Sequence, residues 1–198
     1  MKKLCYAFCT VLLAACGGSK PSDNTTDKNI ETAAQVQEKP SMLPEAFNAS
    51  FDKLLHEYYA LRDALTADDT AAANTATVSL IEASAAVKLD ELKAIDTTNI
   101  IIPTAKTYTD GISAEGKGLI GKTKIDDKRK SFQMISAGLF DLIRTVRYDK
   151  EKIYLLHCPM AFDNAGADWL NNAKEIKNPY FGKNMLTCGE VKDSVVFR

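Results

Sequence analysis

Large apolar residues recur at steps of three and four along two long segments, and this period constrains the chain more than any other feature. Phe47, Phe51, Leu54, Leu55, Tyr58, Leu61 and Leu65 make one stripe, and Phe132, Ile135, Leu139, Leu142, Ile143 and Val146 make another. Side chains spaced this way share one face of an α-helix, so each segment is a helix that must bury that face. The first is predicted to open near Pro44 and end near Thr66, and the other to run from Asp126 to Val146. Between them, Asp68 and Asp69 suit a further helix start, by capping and by favourable interaction with the helix dipole. Its face of Ala73, Ala76, Leu80, Ala83 and Val87 is small enough for a close neighbour, and it is expected to stop between Ile95 and Asn99. Pro103 can occupy the first turn of another helix reaching about Gly121, because its missing N–H costs little there. Glycines at 111, 116, 118 and 121 each weaken a helix by up to about 1 kcal/mol, so this element is expected to be broken or partly loop. Four segments with short connections predict a mainly α protein built on an antiparallel four-helix-type bundle.

After Lys152 the pattern changes to Ile153-Tyr154-Leu155-Leu156-His157-Cys158, an apolar and aromatic run ended by Pro159 that reads as a strand. Alternation puts Tyr154, Leu156 and Cys158 on one side and Ile153, Leu155 and His157 on the other. If the segment stays extended through Pro159, Met160 joins the Cys158 face. The domain organisation expected is a leader over 1–15, a solvated tether over 16–42, the bundle over 43–150, and a small strand-containing C-terminal segment over 151–198 packed on the bundle.

The leader reading rests on Lys2 and Lys3, the apolar run Leu4 to Leu13, and the small residues before Cys16, which together read as a secretory signal peptide. Leu13-Ala14-Ala15-Cys16 resembles the lipobox of bacterial lipoproteins, in which the cysteine is acylated and becomes the mature N-terminus. That resemblance implies a lipoprotein anchored to an envelope membrane through Cys16, facing the periplasm. Several acyl chains, each adding roughly 0.8 kcal/mol per buried methylene, would hold it firmly. The next residues, to about Met42, are rich in Ser, Thr, Asp, Asn, Lys and Gln and too poor in apolar surface to fold. Removal of Lys2 and Lys3 takes the formal charge from -1 to -3, and no basic patch for nucleic acid remains.

Of the five cysteines, Cys5 and Cys9 leave with the leader and Cys16 is lipidated, so the folded part has two thiols, Cys158 and Cys188. Each lies close to a thioether, in Cys158-Pro159-Met160 and Met185-Leu186-Thr187-Cys188. Cu(I) accepts low coordination by thiolate and thioether, and a site built from Cys158, Met160, Met185 and Cys188 would satisfy it, with His157 offering a fifth donor. Zinc would use Cys158, Cys188 and His157 and make little of the methionines. The alternative is a Cys158–Cys188 disulfide, suited to an oxidising compartment and contributing roughly 3 to 4 kcal/mol by loop closure, in a helical interaction module with no metal.

The strings His157-Cys158-Pro159-Met160-Ala161, Gly166-Ala167-Asp168-Trp169-Leu170, Lys174-Glu175-Ile176-Lys177-Asn178-Pro179-Tyr180-Phe181-Gly182 and Met185-Leu186-Thr187-Cys188-Gly189-Glu190-Val191 resemble a domain of unknown function from bacterial envelope lipoproteins. The same domain occurs fused to the C-terminus of periplasmic adaptor subunits of heavy-metal efflux pumps of the RND class. Tyr58 to Asp69 and the helix around Arg129, Phe132 and Ser136 extend the resemblance, which runs from about Phe47 to Val191. It implies handling of copper or silver for efflux or buffering, with an efflux adaptor or another copper-handling protein as partner.

Other residues carry less. His56 sits beside Leu55 on the first helix and reads as structural, and neither histidine has a serine or acid arrangement for nucleophilic catalysis. Trp169, Tyr180 and Phe181, with Pro179 and Gly182 shaping a turn, are expected to pack the tail on the bundle, or else to present an aromatic contact at Asn178-Pro179-Tyr180. Asp163 and Asp168 could meet a hard cation, but two separated acids form a poor site. No phosphate-cradling or dinucleotide motif occurs, and a non-enzymatic protein is expected.

Overall fold

The computed structural model describes residues 40–197, so Cys16, the leader and most of the tether lie outside the described residues. Helix α1 spans Glu45–Thr66, α2 Thr70–Ala85, α3 Ile101–Ile120 and α4 Ile125–Val146. The apolar stripe of α1 is buried along its length, as is that of α4. Each helix packs on the next in sequence, which short connections favour. Stacked Tyr58 and Phe132 rings, with centroids 5.2 Å apart, bridge α1 and α4.

One helix boundary differs from the expectation. Asp69 caps α2 by accepting from Ala72 N–H at 2.9 Å, but α2 ends ten residues before Ile95. The chain then makes a 3₁₀ turn, Leu89–Ala94, which buries Leu92. Asp96 follows and accepts from the N–H groups of Ile100, Ile101 and Ile102, at 2.9, 3.1 and 2.9 Å. Its carboxylate thus caps α3, which starts at Ile101, and Pro103 falls within the first turn, where no N–H is needed. Helix α3 is unbroken despite its glycines, because tertiary packing overrides propensity. Gly116 is where α2 approaches: a Cβ there would lie 2.8 Å from Ile81 Cγ1.

The tail forms a three-stranded antiparallel sheet, as the apolar run before Pro159 leads one to expect. Strands β1 (Ile153–Cys158), β2 (Ala167–Asn171) and β3 (Glu190–Val195) lie in the order β2-β1-β3. Among the described residues the protein is therefore mainly α, with a small C-terminal strand subdomain. Between β1 and β2 comes α5 (Ala161–Asn164), a single turn in which Phe162, Asp163 and Asn164 are left-handed, with φ of 53, 58 and 68°.

Several side chains join the tail to the bundle, among them Arg62, which donates from α1 to Asn171 Oδ1 on β2 at 2.6 Å. Ser136 Oγ donates to Phe132 O at 2.9 Å, so at 2.7 Å it accepts from the Tyr58 hydroxyl, which in turn accepts from Leu170 N–H at 3.0 Å. One hydroxyl thereby links α1, α4 and β2. Arg129 is buried and donates to Pro179 O at 2.8 Å, Asp68 Oδ1 at 2.6 Å and Asp126 Oδ1 at 3.0 Å. Gly182 closes over this pair with φ +57°, leaving no room for a side chain beside the Asp68 carboxylate. No described helix is long and apolar enough to cross a membrane.

Candidate metal centre

Thirty positions separate Cys158 from Cys188 in sequence, and the sheet brings them together. Pairing of β1 with β3 runs to His157↔Glu190, which places Cys188, two residues before β3, beside the end of β1. The two Sγ atoms stand 3.8 Å apart, and both cysteines are free thiols. Met160 Sδ lies 3.9 Å from Cys188 Sγ. Three of the four sulfurs picked out in the sequence therefore gather at one point.

Met160 reaches that point differently from the expectation. The strand stops at Cys158, and Pro159 and Met160 turn, with Met160 at φ -90° and ψ -8°. A turn, not a continued strand, carries the thioether to Cys188. The left-handed residues of α5 follow at once. Such backbone costs about 1 to 3 kcal/mol per residue and clusters at functional sites.

Met185 is tied to the cluster through its backbone, its carbonyl accepting from Cys188 N–H at 3.1 Å. His157 is not brought to the sulfurs. Successive strand residues face opposite ways, and its Nδ1 pairs with Asp168 Oδ1 at 2.6 Å in a cleft of about 500 Å³ lined also by Ala137, Phe140 and Lys192. Asp168 is held by Lys192 at 2.8 Å, and among the described residues no acid completes a group of three His, Cys, Asp or Glu side chains with the two thiols. His56 is exposed on α1.

Access and electrostatics differ between the thiols. Cys158 is fully buried, Cys188 is half-buried, and Met160 is 44% exposed, so the cluster opens to solvent on the methionine side. Burial, then the hydrogen bond and charge of Cys158, push the Cys188 thiol above its ordinary pKa. An ion binding both sulfurs as thiolates must displace these protons, and its affinity then rises with pH.

Asn178 carries a role that its sequence context hides. Its Nδ2 donates to Cys188 O at 2.7 Å, while its Oδ1 accepts from Tyr180 N–H at 2.8 Å. This fully buried amide fixes the Cys188 loop from within the turn that the aromatics mark. The local signal is Asn two residues before an aromatic across a proline, an Asx-type turn. Trp169 and Tyr180 are buried in T-shaped contact, with centroids 6.0 Å apart, so they pack the tail and do not face outward. Gly189, at φ +147°, passes so close to the sheet that a Cβ would lie 2.8 Å from both His157 O and Trp169 Cη2.

A half-open cluster of two thiols and a thioether, displayed by a small sheet on a helical bundle, defines the class as a helical domain with a sulfur-rich tail. Residues 54–151, from within α1 to the residue before Lys152, match the family described as Protein of unknown function (DUF3347). The match is shorter than the Phe47–Val191 span of the resemblance and stops before β1 and the sulfurs. No curated protein and no solved structure matches the chain.

Proposed function

We propose that this protein binds a soft monovalent metal ion, Cu(I) foremost, for copper efflux or buffering at an envelope membrane to which lipidated Cys16 anchors it. The observation that carries this reading is the 3.8 and 3.9 Å spacing of Cys188 Sγ from Cys158 Sγ and Met160 Sδ. A first-row metal bonded to sulfur at about 2.3 Å separates its donors by about 3.8 Å in a tetrahedron and about 4.0 Å in a trigonal plane. Both observed edges suit one shared ion. The donor types favour copper over zinc: among the described residues no three His, Cys, Asp or Glu side chains gather, and the third neighbour is a thioether. Cys158, Cys188 and Met160 are the ligands in this proposal, with Met185 as a fourth sulfur. His157 is left out, since Asp168 holds its ring in the cleft on the other side.

The efflux role follows the resemblance to envelope lipoproteins and RND adaptor tails, and an adaptor or other copper-handling protein is the partner proposed. The protein's work is to hold and pass on an ion, without catalysis.

Anaerobic titration of the reduced chain with Cu(I) against a chromophoric chelator, followed by metal analysis, tests the reading. One tightly held ion per chain is expected. Cys158→Ala, Cys188→Ser and Met160→Leu should weaken it at least about tenfold, Met185→Leu less, and His157→Ala hardly at all. Equal copper in wild type and the two cysteine variants would remove the proposal. Partition of the expressed protein into detergent, lost in Cys16→Ala, checks the anchor separately.

A further inference from the structure

Cys158 sits on the central strand between β2 and β3 with no exposed surface, whereas Cys188 lies on a loop and is half-buried. A disulfide needs its sulfurs at about 2.05 Å, so the observed 3.8 Å must close by roughly 1.8 Å. Cys158 is buried and ends β1 in pairing with Ala167 of β2, whereas Cys188 lies outside the strands, so the loop supplies the movement. Thiol–disulfide exchange also requires that an external reagent reach the sulfur it reacts with. Only Cys188 meets that condition.

We infer that Cys158 and Cys188 form a reversible dithiol–disulfide couple, in which Cys188 exchanges with small external disulfides and Cys158 resolves the product, closing the sulfur cluster to metal. In the first step the Cys188 thiolate attacks a small disulfide RSSR, forming Cys188–S–S–R and releasing RS⁻. In the second the Cys158 thiolate attacks Cys188 Sγ, forming the internal disulfide and releasing a second RS⁻. The two thiol protons pass to solvent or to the released thiolates, and the external disulfide is the two-electron oxidant. Closure removes both thiolates and leaves only thioether sulfur beside the bond, that of Met160 at 3.9 Å from Cys188 Sγ. This last consequence rests on the copper reading; the exchange chemistry does not.

The test uses the full chain with Cys5, Cys9 and Cys16 replaced by serine in every variant, so that only the two described thiols report. Reduced protein is incubated with oxidised glutathione and acid-quenched, and its intact mass is followed with time. The parent should convert to a species two hydrogens lighter with little adduct. Cys158→Ala should accumulate one glutathione at Cys188, and Cys188→Ser should take up glutathione at least about tenfold more slowly. Far-UV circular dichroism confirms that both variants are folded. Equal adduct rates in the two variants, or stable adducts on the parent without the internal bond, would overturn the assignment of roles.

A second arm compares Ag(I) affinity of the reduced and oxidised parent. Oxidation should weaken binding at least about a hundredfold. Equal affinity would overturn the closure, and so would a reduced protein that binds no ion. That last result also sinks the copper reading, while the glutathione arm still judges the exchange alone.

Discussion

Tyr58→Phe isolates one of the bonds that join sheet to bundle, leaving the Arg62–Asn171 bond in place. The ring keeps its stack on Phe132, but the hydroxyl that accepts from Leu170 N–H and donates to Ser136 Oγ is gone. Ser136 still donates to Phe132 O, so the principal cost is a buried Leu170 N–H left without an acceptor. An unmade bond of that kind costs about 1 to 3 kcal/mol, which at about 2 to 4 °C per kcal/mol for a domain of this size lowers the melting temperature by about 2 to 12 °C. Ser136→Ala should cost less, because Leu170 keeps its acceptor.

The same hydroxyl gives the substitution a pH signature. Burial is the main cause of a Tyr58 pKa raised from 10.0 to about 12, outweighing the hydrogen bonds that lower it. The unfolded chain releases this proton near 10 and the folded chain keeps it to about 12, so stability falls as pH rises through that window. At about 1.4 kcal/mol per pH unit, this one group removes about 3 kcal/mol of wild-type stability. Urea unfolding at several pH values, with tyrosinate absorbance in parallel, should show the gap between wild type and Tyr58→Phe shrinking above pH 10. Identical melting at neutral pH together with superimposed alkaline curves would refute the reasoning.

Three further outcomes are expected. Gly182→Ala forces a left-handed alanine into the Asp68 carboxylate and to within 2.7 Å of Arg129 Nη2; it should cost about 2 to 4 kcal/mol in denaturant unfolding. Burial raises the Asp96 pKa, but the backbone N–H groups of Ile102, Ile101, Ile100 and Asn99 outweigh it and hold the value below the ordinary range. Its contribution is therefore present above the unfolded carboxyl pKa and lost as pH falls through the folded one, and Asp96→Asn should flatten the acid limb of a melting-temperature profile. Gly189→Ala must displace the loop that carries Cys188, since its Cβ would lie 2.8 Å from His157 O and Trp169 Cη2; Cu(I) affinity should fall at least about tenfold while the far-UV spectrum stays helical.

Helix period and strand alternation are local properties, and they were readable. The stripes from Phe47 to Leu65 and from Phe132 to Val146 bury as their spacing requires, and the run before Pro159 is a strand. Positions set by distant partners were not readable. The end of α2 at Ala85 depends on burying Leu92 and on a cap from Asp96 that serves the following helix. Intact α3 depends on α2 lying against Gly116. In the tail, composition named Cys158, Met160 and Cys188, while their meeting depends on the β1–β3 register and on a turn at Pro159. The opposed direction of His157 was legible from alternation, but its Asp168 partner required the β1–β2 register. Asn178 and Arg129 were named only within longer strings, and their roles in holding the Cys188 loop and the tail were not readable because a single amide or guanidinium gives no periodic signal.

The hydroxyl shared by three elements also bears on where this polypeptide can be cut. A fragment trimmed to the matched span, 54–151, would lack the whole sheet and the aromatic turn. Tyr58, Phe132 and Ser136 would then meet water in place of Leu170 and Tyr180. Such a fragment would carry a sticky seam along two helices and self-associate, so soluble expression calls for both halves in one piece.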